Sequence, residues 1–192
     1  MILDMAKYMR LVVQNAFERD VIHGDAKSRT EFFTYGLASI GISLIGGKNL
    51  GKLEEKMNTK NVENIYQQIA DCLTDMIPEK WKKVLLYAEV RDSYRKVYFY
   101  YYSFTNKEPV YSLEIPIKFD VENERFKKLE SDLYDLFSEL QSEFVRQQQD
   151  KWTHLTYILE HTGKMKVKFG YEDLSQIDPV EKQEKWEATY LK

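Results

Sequence analysis

From Asn58 onward the apolar residues of this chain change period repeatedly, and that alternation limits the fold more than any other feature. Val62, Ile65, Tyr66, Ile69, Leu73, Met76 and Ile77 recur at three- and four-residue steps, the spacing of one face of a helix that Asn58 or Thr59 can cap. Pro78 ends it, because proline disfavours a helical predecessor. Residues 81–91 and 96–104 are rich in Val, Leu, Tyr and Phe around a polar Asp92-Ser93, which predicts an antiparallel hairpin; residues 110–115 predict a third short strand. In 124–149 the stripe Phe126, Leu129, Leu133, Leu136, Phe137, Leu140 and Phe144 predicts a long amphipathic helix. Leu155, Tyr157 and Leu159, then Met165, Val167, Phe169 and Tyr171, alternate with polar residues around His161-Thr162-Gly163-Lys164. Asp178 with Pro179 at the first helical position opens a last helix. The order α-β-β-β-α-β-β-α predicts an α+β fold, an antiparallel sheet of about five strands packed with helices.

Composition changes at Met57. All three tryptophans and all four prolines follow residue 56, whereas six of the eight glycines precede it, so residues 1–56 read as an N-terminal extension and 57–192 as the main domain. A helix is expected over 1–22, stopped at Gly24-Asp25, and Ser28-Arg29-Thr30-Glu31 has the spacing of a capping box at the start of a second. Gly46-Gly47-Lys48-Asn49-Leu50-Gly51-Lys52 reads as a helix terminus entering a linker. Two short helices bury too little for a core of their own, so the extension is expected to pack on the main domain or to stay partly mobile.

Several function classes are disfavoured by composition and spacing. The 192 residues are 43% apolar and 14% aromatic, a folding composition. Residues 57–192 carry 20 Lys/Arg against 24 Asp/Glu, a balance unlike that of phosphate-backbone binders. Cys72 stands alone, which excludes an internal disulfide and suits a reducing, cytoplasmic setting. No signal peptide is expected, and the longest uncharged run, 32–47, holds four glycines in 16 residues, short of the roughly 20 apolar residues of a membrane span. His23, His154 and His161 are scattered, with no zinc spacing, no Walker loop and no G-x-S-x-G. No metal, cofactor or catalytic residue is expected, and the chain reads as a binder rather than an enzyme.

Two surfaces are candidates for binding. Asp132, Asp135, Glu139 and Glu143 fall three or four apart on the central helix, which makes them either a solvated face or an acidic patch for a basic partner. Tyr98, Tyr100 and Tyr102 share one face of their strand. That face is either covered by a second helix layer or a tyrosine-rich contact surface. Glu172 and Asp173 join the candidate set.

Met76-Ile77-Pro78 with Trp81, Tyr87-Ala88-Glu89-Val90, Val97-Tyr98-Phe99-Tyr100, Asp132-Leu133-Tyr134-Asp135-Leu136-Phe137, Trp152-Thr153, Tyr171-Glu172-Asp173 and Trp186 occur in an order that resembles the YezG-like immunity (antitoxin) family, nearly end to end from about Asn61 to Leu191. Glu18-Arg19-Asp20-Val21-Ile22-His23-Gly24-Asp25-Ala26-Lys27-Ser28-Arg29, followed by Tyr35-Gly36, resembles the pre-toxin segment of LXG-type toxins. The first resemblance implies a cytoplasmic protein that binds and neutralises the C-terminal nuclease domain of an LXG-type toxin exported by type VII secretion. The second implies a toxin-like remnant ahead of the immunity domain. An adaptor or chaperone that holds such an effector without inhibiting it is the alternative. Neither resemblance implies a direct nucleic-acid or membrane partner, and neither identifies the toxin, the stoichiometry or the translation start between Met1 and Met57.

Overall fold

A computed structural model describes residues 59–191. The helices expected in 1–56, the capping box at Ser28 and the glycine-containing linker lie outside the described residues. Helix α1 (Thr59–Met76) is followed by β1 (Trp81–Arg91), β2 (Tyr94–Ser103), β3 (Val110–Tyr111), a short α2 (Ile115–Lys118), the long α3 (Asn123–Arg146), β4 (His154–Glu160), β5 (Met165–Gly170) and α4 (Pro179–Tyr190). The strands form one antiparallel sheet in the order β3-β2-β1-β4-β5. The architecture is the α+β arrangement that the periodicities predict.

Strand β1 lies in the middle, and every residue from Val84 to Val90 is buried. Such a run requires cover on both faces, since alternate side chains point to opposite sides of a sheet. On one face Val84, Leu86, Phe99, Tyr157 and Val167 pack with Ile65, Ile69 and Leu73 of α1 and with Leu133, Phe137 and Leu140 of α3. On the other, Leu85, Tyr87, Tyr98 and Tyr100 surround Trp186 of α4. Burial of each large apolar side chain contributes about 1.5–3 kcal/mol. Gln141 of α3 ties the end of β1 to the lead-in of β4: its amide nitrogen donates to Val90 O (2.8 Å) and Trp152 O (2.5 Å).

Three boundaries differ from expectation for local reasons. The strand expected over 110–115 stops after Tyr111; Ser112–Glu114 form a 3-10 turn and Pro116 sits at the start of α2. Pro116 has no N–H for a ladder, and the Ser112 hydroxyl instead accepts the Phe99 N–H at 3.2 Å. Strand β2 begins at Tyr94, directly opposite Arg91, because Ser93 adopts φ 63° and closes the turn in two residues. Helix α3 ends at Arg146, where Gln148 takes φ 60° and the Gln149 N–H turns back to Phe144 O at 2.9 Å. The start of α4 follows its sequence signal: Asp178 Oδ1 accepts from Val180 N (2.8 Å) and Glu181 N (3.2 Å), ahead of which Pro179 lacks a donor to satisfy.

Gly170 pairs with His154 across β4 and β5, and a Cβ built there would stand 2.1 Å from the imidazole. That ring stacks on Tyr87 at 6.1 Å. Gly170→Ala is therefore expected to lower the unfolding free energy by about 1–2 kcal/mol, because the imidazole must leave its place. Urea unfolding of the variant checks this; an unchanged midpoint would mean that His154 swings out at no cost.

Candidate binding surface

The described residues hold no group of three or more His, Cys, Asp or Glu placed to bind a metal ion. Cys72 is buried, and its thiol is pushed up to about 12, first by burial and then by the Asp132 and Asp75 charges, so it offers no thiolate nucleophile. What the described residues present is a set of surfaces differing in charge.

The acidic row of α3 is not one uniform face. Asp135 and Glu139 are exposed and Asp132 is half-buried, but Glu143 is only 3% exposed. The Glu143 carboxylate is enclosed by Arg146, by Gln147 Nε2 at 2.6 Å and by Asn61 Nδ2 of α1 at 3.5 Å. Helical spacing places the four side chains along one side, and that side runs into the seam with α1. Asp132 pairs with Lys128 (2.8 Å) and Asp135 with Arg95 at the start of β2 (2.8 Å). Glu143 therefore fastens α3 to α1, while Asp132, Asp135 and Glu139 remain available at the surface.

Glu172 and Asp173 are exposed just beyond β5. The Glu172 carboxylate stands 3.7 Å from His154 Nε2. Hydrogen bonds from Ser175, and then the Arg91 charge, hold the Asp173 carboxyl below its usual range. Asp92 is likewise held down by a hydrogen bond from Lys151. Because Arg91 and Arg95 flank the β1–β2 turn, Asp92, Asp135 and Asp173 gather around that end of the sheet.

The tyrosine face is closed by a second layer. Tyr98 and Tyr100 are buried under α4: Trp186 meets Tyr98 edge-on at 5.4 Å and stacks on Tyr100 at 6.2 Å. The Tyr100 hydroxyl engages Glu187 and accepts from Gln183 Nε2 at 3.3 Å. Neither ring can meet a partner directly while α4 is docked. Tyr102 alone of the three is half-buried and reaches the surface.

Beneath α4 lies an ionic cluster that the sequence analysis missed. Glu89, fully buried on β1, accepts from Lys182 Nζ at 2.8 Å, from Tyr87 OH at 2.9 Å and from Arg91 Nε at 2.6 Å. Burial alone would raise its carboxyl, but the hydrogen bonds from Lys182, Tyr87 and Arg91 outweigh it and hold the group below its usual range. The available signal was a single charge inside the buried run 84–90. For His154 burial dominates, and the imidazole is held below its usual value despite Glu172 and Glu89. No described helix is long and apolar enough to cross a membrane.

Comparison with known proteins places these features in a family. The chain is 36% identical over 132 residues to Immunity protein YezG from Bacillus subtilis (strain 168), covering 68% of this chain and 87% of that protein. It is 33% identical over 120 residues to the Type VII secretion system protein EsaG from Staphylococcus aureus (strain NCTC 8325 / PS 47), covering 62% of this chain and 71% of the relative. A further 50-residue match, 40% identical, is to a protein named Toxin from Bacillus cereus (strain ATCC 14579), covering 26% of this chain and 9% of that one. A family model described as Immunity protein YezG-like matches residues 62–192, the whole of the sheet and all of its helices but the first three residues of α1, and the chain belongs to the YezG-like immunity protein family.

Proposed function

We propose that this chain is an immunity protein that binds the C-terminal nuclease domain of an LXG-type toxin in the cytoplasm and blocks its active site or substrate groove. The observation that carries the reading is the family match across residues 62–192, which takes in all five strands of the sheet. Family membership supports an immunity role and, with it, a protein toxin as partner and inhibition by binding rather than turnover. Residues 1–56 are read as a toxin-like segment ahead of an immunity domain at 57–192.

The contact surface we assign is the acidic end of the sheet: Asp132, Asp135 and Glu139 on α3 with Glu172 and Asp173 beyond β5, whereas Tyr102, level with Lys83 at the far end of the hairpin, lies outside it. Tyr98, Tyr100 and Glu143 hold the fold behind it. Acidic side chains attract a cationic nucleic-acid-binding groove, and such complementarity acts chiefly on the association rate. An interface of about 1,600 Å² would be ordinary for the complex.

The test is a DNA-cleavage assay with the purified nuclease domain of an LXG-type toxin encoded beside this gene, titrated with the full chain. Stoichiometric loss of cleavage is expected; full cleavage at excess protein would overturn the reading. One relative's name, a type VII secretion system protein, favours a second reading as an adaptor that holds an effector. Binding without inhibition in the same titration would select it. The doubly substituted D135K/E139K variant is expected to slow association about tenfold at low salt. It should cost under about 1 kcal/mol of stability, since the Asp135–Arg95 pair is exposed. Unchanged stopped-flow kinetics would remove α3 from the contact surface.

A further inference from the structure

The end of the sheet opposite the β1–β2 turn carries the opposite charge. Strand register shifts between Trp81 and Lys83, so Lys82 is an extra residue on β1 at this point. In a regular strand two consecutive side chains point to opposite faces, whereas a bulge re-aims one of them. Here Lys82 and Lys83 line the same groove, together with Tyr102, Asn106, Lys107 and Tyr190. Lys168 adds a fourth cation, its Nζ 5.0 Å from the Tyr190 ring centroid. Phe104, 50% exposed, lies beside the rim with Lys82 Nζ 5.5 Å from its centroid.

The acids nearby do not cancel this charge. Glu79 is engaged by the Tyr101 hydroxyl at 2.9 Å and Glu187 by Tyr100. Glu160 stands opposite Lys83 in the ladder and Glu108 lies near Tyr102, but neither these nor Glu79 and Glu187 are among the residues that line the groove, whose only charged side chains are lysines.

We propose that this bulged, lysine-lined groove is a second docking surface, separate from the acidic end, whose occupant is an acidic segment of a partner protein. Carboxylates spaced along an extended peptide would pair with Lys82, Lys83 and Lys107, and the exposed Phe104 ring gives the segment an apolar contact at the rim. A single-stranded nucleic acid fits less well, because such strands rely on aromatic rings with a free face for their bases. The Tyr190 ring is already packed on Trp186 at 5.3 Å and approached by Lys168, and the exposed Phe104 ring is met by the Lys82 ammonium and edge-to-face by His161 at 5.1 Å, which leaves a single, partly occupied ring at the rim.

The experiment is fluorescence anisotropy of a fluorescein-labelled deca-glutamate peptide titrated with the full chain at low salt. Saturable binding is expected, weakened about tenfold in K82E/K107E, two exposed substitutions whose folding is verified by circular dichroism. The charge-matched K127E/K185E variant, altered away from the groove, should bind within about twofold of the parent. Three results would each overturn the proposal: no saturable binding, an equal loss in both variants, or tighter binding of a ten-residue thymidine oligonucleotide than of the peptide. None of them depends on toxin neutralisation, which is assigned to the other end of the sheet.

Discussion

Trp186→Ala is expected to lower the unfolding free energy by about 3–5 kcal/mol, the range for removing a large buried aromatic. Trp186 is 7% exposed, contacts Tyr87, Tyr98, Tyr100 and Tyr190, and donates its indole N–H to Thr156 Oγ1 at 2.9 Å. It is the one fully inserted apolar residue of α4, whose remaining residues are mostly polar. Alanine at this position empties the second core while leaving the α1/α3 side intact. Hydrogen exchange should then show the amides of α4 opening well before those of β1. A loss below about 1 kcal/mol would mean that α4 is not anchored here.

Lys182→Met should cost about 3 kcal/mol, because methionine keeps the stem but leaves Glu89 buried without its ammonium partner. Arg91 and Tyr87 remain, which keeps the loss at the low end of the range for broken buried pairs. Adding Glu89→Gln to that variant should recover part of the loss, since the uncompensated charge is then gone. The acid limb has a definite sign. In the parent the Glu89 carboxyl is depressed on folding, so its stabilisation is present above the ordinary carboxyl pKa of about 4.3 and is lost as pH falls through the lower folded value. Without Lys182 the largest opposing hydrogen bond is missing, so the folded carboxyl is depressed less, and the variant should lose less stability than the parent as the pH falls. Urea midpoints measured between about pH 3 and 8 would test this. Parallel curves for the two proteins would show that Lys182 does not hold the charge.

The readable and unreadable parts of this protein divide by sequence distance. Helices α1 and α3 announce themselves by apolar steps of three and four, and the start of α4 by Asp178-Pro179. Strand β3 does not, because Val110 to Ile115 has strand composition while Pro116, one residue further on, starts a helix. The Glu89–Lys182 pair spans 93 positions, beyond any local pattern. Alternation shows that Tyr98 and Tyr100 share a face, yet whether that face is covered depends on a helix whose single large anchor produces almost no periodic signal. Glu143 fails for the same reason: its spacing matches Asp135 and Glu139, and only the packing of α1 distinguishes it. Of the binding candidates, local sequence identified the charges but not which of them the fold would consume.

Helix α4 follows the five described strands in the chain, and this has a consequence for synthesis. During translation the sheet can assemble on α1 and α3 while the residues that close the other layer are still inside the ribosome. For that interval Tyr87, Tyr98 and Tyr100 form a bare aromatic surface, the kind of transient exposure that favours aggregation. The nascent protein therefore has a vulnerable stage whose length is set by how quickly the last dozen helical residues emerge.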